Sequence, residues 1–151
     1  MRWRGPDRQH FVWERLSRDE RLRDHMRWVW GPFNGEGTKP EEKQRAVDGS
    51  ARDVAKLRAR GIEVAFIRSP SAGLYYEHEL RGFPRKDTWE PLLKATGAFG
   101  IHFEDYPQMR HYEVPEWSHL SRASATQYTR EYVGLLVAHY PWLVRRDEPG
   151  A

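Results

Sequence analysis

Glu116 and His119 stand three residues apart in "PEWSHL" (115–120). A carboxylate and an imidazole at that spacing can form a general-base pair: the ring accepts a proton near neutral pH, and the carboxylate fixes which nitrogen carries it. The same residues also suit a helix start, with Ser118 as cap and Glu116 near the positive end of the helix. Hydrolytic chemistry would further need a nucleophile. None is identified by the sequence, but Ser69 and Ser71 in "RSPSAG" (68–73) follow an apolar run and are the candidates. A proline turn whose hydroxyls bond the local backbone accounts for the same string.

Other polar clusters carry less chemistry. "YYEHE" (75–79) and "IHFEDY" (101–106) bring histidines and carboxylates together, yet no His-Glu-x-x-His occurs and no metal is expected. Zero cysteines among 151 residues exclude disulfides, thiolate metal sites and cysteine nucleophiles. The formal charge is only +3, and acidic residues interrupt the arginines of the Arg/Trp-rich start. Mixed charge of that kind suits a solvated helix face, so nucleic acid is not an expected partner. No apolar run is long enough for a membrane span, and "MRWRGPDRQHF" leads into no apolar leader core. As written, the chain is expected to be cytoplasmic.

These groups need elements to position them. Residues 1–30 read as an Arg/Trp-rich helical segment, with a helix from Pro6 to Val29 capped by Asp7, and 31–43 as a Gly/Pro loop. From 44 to 151 the pattern is α/β. "KPEEKQRAVDGSARDVAKLRARG" begins with Pro-Glu-Glu and ends at Gly61 as a helix. "IEVAFIRSP" is nearly continuously apolar, as a buried parallel strand is. "DTWEPLLKATG" supplies a helix from Asp87 to Gly97, "AFGIHFEDY" a second strand, and "SHLSRASATQYTREYVGLLVAHYPWLV" a long final helix. Strands alternating with helices predict a short, mostly parallel sheet with helices on both faces, and working groups beyond the carboxyl ends of the strands. Glu116 and His119 fall at that address.

"VAFIRSPSAG", "TGAFGIHFEDYP" and "PEWSHLSRASATQYT" together resemble the C-terminal half of the SGNH (GDSL-like) hydrolases, over roughly residues 45–138. In that family an Asp-x-x-His-Leu block opens the final helix of a flavodoxin-like fold. The resemblance implies His119 as the base that activates a serine and Glu116, in place of aspartate, as its orienting partner. It further implies that Ser69, Pro70 and Ser71 line the substrate cleft, that the substrate is a small ester or acyl compound, and that no cofactor is needed. The family's Gly-Asp-Ser nucleophile block has no counterpart; "DGS" (48–50) lies inside a predicted helix. Its Gly-x-Asn-Asp block is absent too, since Asn34 and Gly35 follow no strand. The expected function is therefore hydrolysis by an incomplete or degenerate member. The alternative is a non-catalytic α/β interaction module whose exposed strand edge pairs with a second copy or a partner.

Overall fold

A computed structural model describes residues 2–4, 10–31 and 38–145. In chain order its elements are β1 (Arg2–Arg4), β2 (His10–Val12), α1 (Arg15–Arg18), α2 (Glu20–Trp30), α3 (Pro40–Arg58), β3 (Ala65–Arg68), α4 (Gly73–Gly82), α5 (Trp89–Thr96), β4 (Phe99–His102) and α6 (Arg122–His139). The fold is α/β and mostly helical, around one short parallel sheet of two strands, β3 and β4. Ala65 pairs with Phe99 and Arg68 with His102, so both strands end level with each other.

Local chemistry sets the helix ends. Pro40 opens α3 at a position that needs no N–H donor, Glu41 and Glu42 face its positive end, and Lys56 and Arg58 its negative end. Val47 and Val54, two turns apart, are its buried face. At its far end Arg58 donates from Nη1 to Thr96 O (2.5 Å) and from Nη2 to Gly97 O (3.0 Å), capping the last carbonyls of α5. Gly97 terminates α5 in the left-handed region, at φ 60°. That position is the terminator the sequence predicts.

Strand β4 is covered on both faces. Ile101 of β4 is wholly buried and joins Phe103, Met109 and Tyr128 in the core, with Tyr132, Leu135 and Leu136 of α6 packed against it. Its neighbour Gly100 faces the other way, toward α5, where an added Cβ would sit 2.5 Å from Leu93 Cδ1 and 2.9 Å from Trp89. Only a residue without a side chain lets α5 lie this close to the strand.

The amino-terminal third departs from its predicted form. Instead of one helix from Pro6, the chain forms β1 and β2, paired antiparallel, then α1 and α2. The predicted cap Asp7 lies outside the described residues, as do residues 32–37 of the predicted Gly/Pro loop, whose last four residues belong to α3. Asp19 breaks the helix because its extended backbone (φ −105°, ψ 103°) lets its carboxylate accept from Leu22 N at 3.2 Å. A side-chain cap at mid-segment competes with a continuous helix, and here it wins.

The final helix also starts later than predicted. Ser121, not Ser118, is the N-cap of α6, accepting from Ser124 N at 3.3 Å. The Glu-x-x-His-Leu string therefore lies on the loop before the helix rather than in its first turn.

Candidate functional site: a buried carboxylate holding a half-exposed histidine

The loop from Glu113 to Ser121 is pinned at its base. Ser121 N donates to Glu113 O (2.9 Å), and Glu113 N donates to Ser124 Oγ on α6 (2.9 Å). Val114, Pro115 and Glu116 are buried, so the loop is packed rather than draped over the surface.

Two other elements hold its crown. From α2, Arg27 Nε donates to Pro115 O (3.1 Å) and Trp30 Nε1 donates to Glu116 Oε2 (2.7 Å). At the start of α4, Ala72 N donates to Trp117 O (2.9 Å). Trp117 itself has φ 75°, the only positive φ at a non-glycine position among the described residues. A bulky side chain in that region stores strain, and such strain persists only where surrounding contacts enforce it. Here the indole fills the space that a Cβ on Gly73 would occupy, while the Arg27 guanidinium lies 5.4 Å from the ring centre.

This clamp places the two candidate residues in direct contact. His119 Nδ1 lies 2.6 Å from Glu116 Oε1, and Ser118 Oγ donates to Glu116 Oε2 at 2.8 Å. Ser118 Oγ is also 2.6 Å from His119 Nδ1. A carboxylate can only accept, and the serine proton is directed to Oε2. The ring proton is thereby assigned to Nδ1, shared between Glu116 and Ser118. In the neutral ring the lone pair then resides on Nε2, the tautomer a general base needs.

Exposure divides the labour. The Glu116 side chain is 3% exposed and that of His119 39%. Burial pushes the Glu116 carboxyl up, but hydrogen bonds from His119, Ser118 and Trp30 together outweigh it and hold it below the ordinary glutamate value. Because the folded pKa lies below the reference 4.5, ionised Glu116 stabilises the fold fully above that pH. The contribution is lost as pH falls through the lower folded value. Urea unfolding from about pH 7 down to pH 3 should accordingly show wild type and Glu116→Gln differing most at the upper end and converging in acid. A constant difference across the range would assign the effect to packing instead.

The predicted serines lead elsewhere. Ser71 Oγ donates to Glu79 Oε2 (2.5 Å) and accepts from Arg68 Nη2 (3.0 Å), while Ser69 is exposed and the Tyr128 hydroxyl donates to Arg68 O (3.1 Å). Pro70 is buried between them. Among the described residues no hydrogen bond joins Ser69 or Ser71 to His119, and Ser118 meets the ring at Nδ1, the nitrogen opposite the base. The loop is nonetheless next to the site, through the Ala72–Trp117 bond.

Sequence reasoning did not find Trp30, Arg27, Gly73 or Trp117. One signal pointed to Trp30: a chain with seven tryptophans must find acceptors for its indole N–H groups, and a buried glutamate must find donors. No group of three or more histidine, aspartate or glutamate side chains is placed to hold a metal ion among the described residues. No described helix is long and apolar enough to cross a membrane. Comparison with protein-family models, with curated proteins and with solved structures returned no match to this chain.

Proposed function

We propose that the Glu116–His119 dyad is the acid–base half of an SGNH-like hydrolase acting on an ester or acyl group. The observation that carries this reading is the 2.6 Å contact between a buried carboxylate and Nδ1 of a half-exposed imidazole, on the loop that follows the last strand. His119 takes the proton of a hydroxyl through Nε2, and Glu116 stabilises the imidazolium that forms. The activated oxygen attacks the acyl carbon and the leaving alcohol receives the proton from His119. Water, deprotonated by the same nitrogen, then releases the acid. Ser71 is committed to Arg68 and Glu79, and no hydrogen bond joins Ser69 to His119 among the described residues, so the attacking serine is one brought to His119 by another segment or a partner chain. The chemistry needs no cofactor.

Treatment with a fluorophosphonate probe and peptide mapping by mass spectrometry tests this directly. A self-sufficient triad labels one serine, and His119→Ala abolishes the label. A folded chain that takes no label is not a hydrolase by itself.

A second reading, an interaction module, rests on the sheet having two strands among the described residues, with Ile67 of β3 37% exposed. Strand edges of that kind pair with a second copy or another chain. Elution as a monomer at all concentrations in size-exclusion chromatography would argue against it.

A further inference from the structure

A cavity of about 440 Å³ opens just beyond the carboxyl ends of β3 and β4, between α3, α4 and α5. Its size falls within the range of small-molecule sites, and its place is where open α/β sheets hold ligands. Val47, Trp89 and Leu92 form apolar wall, and at the mouth Leu80 and Phe83 remain 48% and 45% exposed. Apolar side chains of that size around a concavity are left uncovered at a cost that an apolar ligand removes.

The polar part of the wall decides what kind of ligand fits. Its arginines and carboxylates already face internal partners, and its lysine lies over an aromatic ring. Arg68 pairs with Glu79 at 2.5 Å, and Arg85 holds Asp105 through two bonds of 2.6 and 2.9 Å. Glu104 accepts the Tyr76 hydroxyl, Lys43 lies 5.8 Å from the centre of the Phe83 ring, and Glu42 is 3.9 Å from Arg45. His102, 7% exposed, is kept neutral chiefly by burial. An ionic ligand that reached Arg68, Arg85, Glu79 or Glu104 would have to break one of these contacts and leave its partner uncompensated, and at Lys43 it would have to displace the ammonium from the Phe83 ring. An uncharged one meets a neutral, preformed surface.

We propose that this cavity binds an uncharged, mainly aliphatic group, such as the alkyl or acyl chain of a neutral ester or alcohol. Neither Glu116 nor His119 lines it, so its occupancy stands or falls apart from the hydrolytic reading.

The test titrates the full chain with octan-1-ol and, in parallel, with octanoate at about pH 8, where the carboxylate is fully ionised. Side-chain resonances of Val47, Leu80, Trp89 and Leu92 report binding. Octan-1-ol should shift them saturably, and octanoate should bind roughly tenfold more weakly or worse. Ala46→Trp, at an exposed α3 position on the cavity wall, should weaken octan-1-ol by about tenfold while melting near the wild-type temperature, because the ring occupies ligand volume. Leu80→Asp, also at an exposed position, should have the same effect should the bulkier variant misfold. Octanoate binding as tightly as octan-1-ol would overturn the proposal. So would shifts that fail to saturate or that fall outside the cavity, or undiminished octan-1-ol binding by either folded variant.

Discussion

Gly73→Ala is expected to destabilise the protein by roughly 2–4 kcal/mol, although it adds one methyl group at an exposed position. Two costs combine. Gly73 has φ 53°, where an alanine is strained, and its new Cβ would lie 2.5 Å from Trp117 Nε1 and 2.6 Å from Cε2. The indole cannot simply withdraw, because Trp117 O is bonded to Ala72 N and the residue is already held at φ 75°. The melting temperature should fall by roughly 4–16 °C. A double-mutant cycle separates the two costs: in a Trp117→Ala background the clash disappears and Gly73→Ala should cost only about 1–2 kcal/mol, the backbone share. An equal cost in both backgrounds would mean that Gly73 does not seat Trp117. Ring resonances of His119 should move in Gly73→Ala, since Glu116, Trp117, Ser118 and His119 are consecutive on the strained loop.

Glu116 is the second position where a large effect is expected, and two substitutions should divide it. Glu116→Ala removes the acceptor for Trp30 Nε1, Ser118 Oγ and His119 Nδ1 at a site 2% exposed, and should cost about 2–4 kcal/mol. Glu116→Gln keeps the shape. Its amide oxygen can occupy the Oε2 position and accept from Trp30 and Ser118, but its NH₂ then faces His119 Nδ1. The ring must give up its Nδ1 proton and carry it on Nε2, the wrong tautomer for a base. Stability should fall by only about 1 kcal/mol, whereas serine labelling should slow by about 10³–10⁴, as carboxylate-to-amide replacement does in a Ser-His-Asp triad. Wild-type labelling kinetics in Glu116→Gln would show that the carboxylate caps the loop and does not orient a base.

The central α/β unit was legible because its signals are local. Pro40 with two following glutamates marks a helix start, and the run from Ile62 to Ile67 marks a strand, which the structure places at Ala65–Arg68 but does not bury, since Ile62 and Ile67 are exposed. Gly97 marks a helix end that no other residue type takes up as easily. Glu116 and His119 were legible as a pair because only two residues of chain separate them. The amino-terminal region was not, because one capping aspartate inside a charged run decides between one helix and two, and β1 and β2 are only three residues each. The displacement of the α6 cap from Ser118 to Ser121 has a similar origin. Several serines in "WSHLSRASA" suit the position equally, and the choice falls to the bond between Ser121 N and Glu113 O, which periodicity does not encode. The clamp around Trp117 depends on contacts between residues 27, 73 and 117, a relation no single stretch of sequence contains.

None of the side chains of α2 is buried. Its attachment to the rest of the molecule includes the bonds from Arg27 and Trp30, the Arg27–Trp117 contact and the edge-to-face meeting of Trp30 with Tyr75 at 5.1 Å. A helix with no buried side chain opens at a lower free energy than a core helix such as α6. Its amides should therefore exchange with solvent deuterium sooner than those of α6, and the Trp30 indole proton should exchange together with them. Each such opening takes one donor from Glu116. The protonation equilibrium of the buried carboxylate is thereby tied to a local unfolding event more than eighty residues away in the chain.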